Sequence, residues 1–344
     1  MKYHCFFTIL FLLIVSLVLG EDLPLLEEKE LSVAATQTDS IPNTEGLYAL
    51  LISKEGNLLQ EQYFNGQSED SLFHVQSLAK GLMSMLIGMV IDQGLIENED
   101  VRIEQYLPAY FEGIEEAGKR DITIAHLLNQ TSGLSWKGYL EHEDWLSSED
   151  PIAYVLQKEL QHQPGTVYNY NSGASHLLSA IIAKASGQSV QEFAERYLFN
   201  PLGISEYDWA IRNDGHQDGS GLGLKMKAAD LLKLGQLLAN DGYWEGKSLL
   251  SSAWIDKLFD EGKKKETAWG IQGSSHGFCW YKAQFQGEII DYGMGYGGQF
   301  IFLVRDKGLL IVCNHNHDTP KGIEQQIGFI YKRLPALLAS AEGQ

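Results

Sequence analysis

Four apolar, strand-like runs fill the last third of the chain, at 277–284, 287–292, 299–304 and 309–314, with turn residues Gln286-Gly287 and Asp306-Lys307-Gly308 between them. Runs this short and closely spaced pair as antiparallel neighbours, because tight turns leave no room for a crossover helix. A further pair stands near the start, where residues 47–53 and 58–64 flank Lys54-Glu55-Gly56-Asn57 as in a β-hairpin. From about 100 to 262 the pattern is helix and loop. The expectation is an α/β chain of the α+β type. Its mainly antiparallel sheet uses both ends of the sequence and is flanked by helices, with a helical lobe inserted.

Helix ends are marked by their stop signals. A helix is expected from about 77 to 93, ended by Gly94, and a short one over 122–128 runs into Thr131-Ser132-Gly133-Leu134. Others are expected at 175–186, closed by Gly187, at 190–198, ended by Pro201, and at 228–240, stopped by Asp241-Gly242. A terminal helix over 321–339 should kink at Pro335.

Residues 1–20 read as a signal peptide. Lys2 gives a positive start, residues 6–19 are nearly continuous apolar sequence, and Val18-Leu19-Gly20 suits cleavage. The run is short for a membrane span, and no later segment is long and apolar enough for one. A secreted or periplasmic location follows, with 21–45 as a linker or N-terminal arm and 46–340 as the folded domain. The formal net charge of −19 argues against nucleic acid and anionic lipid as partners. Beyond the signal segment only Cys279 and Cys313 remain, too few for a disulfide framework, and both are expected to be buried free thiols.

Several motifs hint at chemistry. Ser77-Leu78-Ala79-Lys80 sits where an extended segment meets an apolar helix, and the lysine, one turn on, faces the same way as the serine hydroxyl it could activate. A chain this long yields about one such match by chance. Gly273-Ser274-Ser275-His276-Gly277 satisfies the nucleophile-elbow pattern, but a strand follows where the elbow needs a helix, so it reads as a loop. Gly293-Met294-Gly295-Tyr296-Gly297-Gly298 fits a dinucleotide fingerprint, yet again a strand follows and no helix N-terminus is available for a pyrophosphate. So many glycines do imply a close approach to the backbone, with a substrate as one candidate. His315-Asn316-His317-Asp318 could suggest a metal, but no further group has ligand spacing, and Asp318-Thr319-Pro320 reads as a helix start. Tyr168-Asn169-Tyr170-Asn171-Ser172-Gly173 is a polar loop before a helix, and a phenol beside a lysine can act as a base.

Taken in order, these segments resemble the serine beta-lactamase and penicillin-recognising superfamily, in its class C-like and esterase branch. The resemblance runs from the first hairpin to about Ile330. It is carried by residues 73–94, by His126-Leu127-Leu128-Asn129-Gln130-Thr131-Ser132-Gly133-Leu134, by 164–178 with Pro201-Leu202-Gly203-Ile204, and by Gly295-Tyr296-Gly297-Gly298-Gln299 with the strand pair after it. It implies Ser77 as nucleophile, Lys80 as its partner, and Tyr170 as the tyrosine of a Y-x-N motif in which Ser172 replaces the asparagine. Ser172 would then orient substrate or the tyrosine. Gly293-Met294-Gly295 stands where the family has K-T-G, so the lysine that helps hold a lactam carboxylate is missing. The branch of carboxylesterases and 6-aminohexanoate-dimer hydrolases fits better.

The implied activity is cleavage of a small ester, amide or peptide-like substrate through an acyl-enzyme, with no metal or organic cofactor. An oxyanion hole would use the Ser77 N–H and one near Tyr296, with Gly295, Tyr296 and Gly297 lining the substrate. The alternatives are a true beta-lactamase or D-Ala peptidase, and a non-catalytic penicillin-binding sensor or scaffold.

Overall fold

The first strand of the sheet pairs with its last. In a computed structural model, Leu47 lies opposite His315 and Lys54 opposite Leu309 in an antiparallel ladder. The structure describes residues 46–259 and 269–340. The strands are β1 (Leu47–Lys54), β2 (Asn57–Tyr63), β3 (Phe73–His74), β4 (Tyr207–Trp209), β5 (Leu224–Met226), β6 (Tyr243–Trp244), β7 (Lys247–Ser248), β8 (Ser275–His276), β9 (Tyr281–Phe285), β10 (Glu288–Gly295), β11 (Gln299–Val304) and β12 (Leu309–His315). Seven of them form one antiparallel sheet in the order β2-β1-β12-β11-β10-β9-β8. The hairpins around Lys54-Glu55-Gly56-Asn57 and Asp306-Lys307-Gly308 are where the turn residues place them.

Strands β11 and β12 are buried along their whole length, which is why both read as unbroken apolar runs rather than as alternating ones. One face is covered by a helix over Ala228–Ala239, whose Gly235 leaves room for Leu310 and Ile301. Against the other, Phe329 stacks on Phe302, with ring centroids 6.1 Å apart. The folded unit spans Asn43–Pro335. Of the second unit only 336–340 are described, which finish the helix Leu334–Ser340.

Helix α1 (Leu78–Asp92) is buried from Leu78 to Val90, because it runs through the middle of the unit between helix α2 (Ser172–Ser186) and β10. Two glycines notch it. A Cβ on Gly81 would meet the Trp280 ring at 2.9 Å, and one on Gly88 would meet the Trp254 ring at 2.3 Å. Both indoles donate to α1 carbonyls, Trp280 to Gly81 at 3.3 Å and Trp254 to Ser84 at 3.0 Å, so each large ring is buried with its polar atom satisfied.

The structure departs from the sequence reading in five places. The region 100–262 is not helix and loop alone: β4 and β5 lie within it, and β5 pairs with β3 immediately before Ser77. The helix expected at 175–186 begins three residues earlier at Ser172, because the Asn171 side chain caps it by accepting from the Ala174 N–H at 2.8 Å. The helix expected to end before Pro201 continues through a π turn, Glu195–Phe199, into Asn200–Leu202 and stops at Gly203; a proline is tolerated in the first turn of the last segment. The strand expected over 277–284 begins only at Tyr281, since residues 277–280 form the bend between β8 and β9, with Cys279 at φ +64°. The terminal helix is not regular throughout but continues through a π turn, Phe329–Arg333, in the turn before Pro335. Cys279 and Cys313 are buried and free. The signal segment and the arm at 21–45 lie outside the described residues.

Candidate active site

Ser77 is the first residue of the turn that opens α1, in helical conformation at φ −63°, and its hydroxyl makes no capping bond. Gln76 before it has φ +52°, a left-handed backbone that costs a non-glycine residue about 1–2 kcal/mol. The His74 ring holds that kink, its Nδ1 accepting from the Gln76 N–H at 3.2 Å. Lys80 follows one turn later and is 2% exposed. Its ammonium nitrogen lies 3.2 Å from Ser77 Oγ and 4.8 Å from the centre of the Tyr170 ring, and it also donates to the carbonyl of Ser220. The sequence-predicted trio is therefore brought together. Ser77, Lys80 and Tyr170 line one small cavity with His276, Cys279, Tyr281 and Met294.

The Ser220 carbonyl is aimed by Asp218. This buried carboxylate accepts from the backbone N–H groups of Ser220, Gly221 and Leu222 at 2.9–3.0 Å and from the Ser220 hydroxyl at 2.9 Å, and it pairs with Arg212. Burial raises the carboxyl's pKa, but Arg212, His176 and the backbone donors outweigh it, and the net shift is downward. Beneath lies a second buried pair, His176 and Asp214, 2.8 Å apart, with His176 Nδ1 accepting from the Gly219 N–H. Asp218-Gly219-Ser220-Gly221 carries the signature of an Asx turn. That signal was available in the sequence; its place beside Lys80 was not.

The far wall comes from β8, β9 and β10. His276 sits edge-on to Tyr168 and Tyr281, with ring centroids at 5.3 and 4.9 Å. Burial pushes the Cys279 thiol up to about 12, although Lys80 and the Gln130 side chain pull the other way. The Tyr281 phenol is raised as well, again chiefly by burial. Neither group is set up as a nucleophile. His142, on the Lys80 side, is lowered to about 4 by burial and by the Lys80 charge.

The glycine segment has a different role from the trio. Gly295 ends β10 so close to the turn before Ser77 that a Cβ would sit 2.4 Å from the Val75 carbonyl oxygen. Gly297 packs on His317, and the exposed Tyr296 ring lies over Gly322. Buried Gln299 holds this turn, donating to the carbonyls of Tyr296 and His315 at 3.3 and 2.8 Å. Ser172, the first residue of α2, is buried. Ser172, Gly295, Tyr296 and Gly297 are not among the residues that line the cavity. His315 bonds the Gly298 carbonyl, and the described residues contain no cluster of three or more His, Cys, Asp or Glu that could hold a metal.

An amine within hydrogen-bond reach of a hydroxyl, in a buried pocket with a phenol against it, is an arrangement able to deprotonate that hydroxyl for attack on a carbonyl. Comparison with known proteins gives the family. The Beta-lactamase family model matches residues 43–328, and the chain belongs to that family. It is 25% identical to an uncharacterized protein of Alkalihalophilus pseudofirmus, over 80% of this chain and 85% of that one. It is 23% identical to the 6-aminohexanoate-dimer hydrolase of Paenarthrobacter ureafaciens, over 74% of this chain and 69% of that one. Among solved structures, the D-alanine carboxypeptidase AmpC of Burkholderia cenocepacia superposes with a TM-score of 0.65 at 17% identity, covering 91% of this chain and all of that one.

Proposed function

We propose that this beta-lactamase-related hydrolase cleaves esters or amides through an acyl-enzyme on Ser77. The observation that carries the proposal is the 3.2 Å separation of Lys80 Nζ and Ser77 Oγ, with the Tyr170 ring packed on the same ammonium. In the reactive form Lys80 is the neutral amine: Ser77 Oγ attacks the carbonyl carbon and its proton passes to Lys80 Nζ, beside the Tyr170 phenol. The tetrahedral oxyanion is held by the Ser77 N–H and one near Tyr296, donors that typically contribute about 3 to 4 kcal/mol each. Collapse expels the alcohol or amine, which takes up the proton. Water then attacks the acyl-enzyme by the same route, releasing the acid and restoring the Ser77 hydroxyl.

A neutral substrate is favoured. Among the described residues Lys80 is the only lysine or arginine lining the cavity, and the wall where a carboxylate-holding lysine would stand carries Met294 between two glycines. We further propose that residues 1–20 direct export and that the hydrolase works outside the cytoplasm; N-terminal sequencing of the mature protein tests this.

The decisive experiment is labelling with a fluorophosphonate probe. Wild type is expected to label and Ser77→Ala not to. Equal labelling of both, or of neither, rejects the mechanism. A panel of 4-nitrophenyl esters, aminohexanoyl amides, D-Ala peptides and nitrocefin then sets the substrate class, and fast nitrocefin turnover would move the assignment to a beta-lactamase.

A further inference from the structure

Three non-glycine residues in the left-handed backbone region belong to the cavity wall or to segments that carry it: Gln76, Cys279 and Gln130. Gln76 precedes Ser77, and Cys279 lines the wall. Gln130 hydrogen-bonds the Tyr170 loop rather than Ser77 or Lys80, yet it is 2% exposed and held at φ +56°. A glycine would adopt that conformation without the cost, so the side chain must bring something that offsets it.

Its hydrogen bonds show what. The Gln130 backbone carbonyl accepts from the Asn169 N–H at 2.9 Å, and its side-chain Oε1 accepts from the Asn171 N–H at 2.7 Å. These are the N–H groups of the residues on either side of Tyr170. Gln130 Nε2 donates to Ser175 Oγ at 2.8 Å and to the Leu127 carbonyl at 3.2 Å. Ser175 Oγ in turn donates to the Asn171 carbonyl at 3.2 Å. The bonds close into a ring through Gln130, Ser175 and Asn171, and Asn171 also caps α2. One residue thus grips the backbone before and after Tyr170 and anchors both grips to two helices.

We infer that Gln130 is a positioning residue for Tyr170, holding its ring against the Lys80 ammonium. The inference rests on the hydrolase reading given above. It predicts that loosening the grip harms proton handling more than it harms folding, because a displacement of about 1 Å at a catalytic group can reduce rate by about 100-fold.

The test uses Gln130→Gly, which keeps the left-handed backbone and removes only the side-chain bonds. Turnover of a 4-nitrophenyl ester and the second-order rate of fluorophosphonate labelling are measured from pH 5 to 10, for wild type, Gln130→Gly, Tyr170→Phe and the double variant. Gln130→Gly is expected to lower kcat about 10- to 100-fold with KM within about threefold, and to move the midpoint of the pH profile. In the Tyr170→Phe background the same change should cost less than about threefold, since its route of action is already gone. Additive losses, or an unshifted pH profile with wild-type kcat, overturn the inference. If Gln130→Gly does not fold, Gln130→Asn takes its place in the cycle, because asparagine also accepts the left-handed region but is one methylene too short to reach. Loss of all activity in wild type, or full activity in Ser77→Ala, would reject the hydrolase reading instead, and the two failures are distinguishable.

Discussion

Gly295 and Val75 meet through their backbones, with no side chain between the end of β10 and the turn that presents Ser77. A Cβ on Gly295 would lie 2.4 Å from the Val75 oxygen and 2.9 Å from the Gln76 side chain. Gly295→Ala must therefore push strand and turn apart. The expected cost is about 1–3 kcal/mol in urea unfolding, together with slower fluorophosphonate labelling. Gly328→Ala serves as the control: nothing lies within 4 Å of its added methyl, its φ is not left-handed, and stability should hold or rise by up to about 1 kcal/mol.

Asp218 is the most heavily bonded carboxylate near the site, and its partner Arg212 is largely buried with it. Asp218→Asn removes the charge but leaves the guanidinium in place. Losing one member of a buried pair costs about 3–5 kcal/mol, and chemical denaturation should show a loss of that order. Turnover measured well below the new melting temperature should fall as well, because the Ser220 carbonyl loses the support that aims it at Lys80.

His315 makes stability depend on pH. Its ring donates from Nδ1 to the Gly298 carbonyl at 2.7 Å, and burial, assisted by Arg333, lowers its pKa from the ordinary 6.5 to about 4. The unfolded chain then binds a proton that the fold refuses. The His315 contribution is complete above about pH 6.5 and is lost as pH falls toward 4, to an extent on the order of 3 kcal/mol. Urea midpoints measured between pH 7 and pH 4 should fall over that window, and His315→Gln should flatten the slope.

Cys279 borders the cavity yet should be inert. With its thiol pushed up to about 12, only about one molecule in 10⁴ is thiolate at pH 8. Cys313 is also raised by burial. Peptide mapping after iodoacetamide treatment should find both unmodified in the native protein and both modified after unfolding. Rapid native alkylation of Cys279 would mean that the wall opens.

What the sequence disclosed depends on how local its cause is. The Lys54–Asn57 turn, the Gly94 and Gly187 helix stops and the Ser77–Lys80 spacing are set by neighbours within a few residues, and the structure has them where the pattern puts them. The Tyr168–Gly173 loop showed its polarity, but the cap by Asn171 that starts α2 early is a choice between competing side chains. Gln130, Asp218, His276 and Gln299 act on residues far away in the chain, so their roles appear only once the fold brings the partners together. Left-handed backbone at Gln76, Gln130 and Cys279 leaves no mark in composition at all. The bend at 277–280 shows the same limit: aromatic residues there read as strand, while in the fold Trp280 packs into the Gly81 notch.

The pairing of β1 with β12 has a consequence for how the molecule comes into being. Its partners are roughly 260 positions apart, so a growing chain must carry β1 paired with β2 alone, its other edge open, until nearly all of the protein has been made. The apolar edge of that first hairpin is meanwhile open to strands from other molecules. A chain truncated before Leu309 would retain Ser77, Lys80 and Tyr170 yet lack the strand that joins the two ends of the sheet.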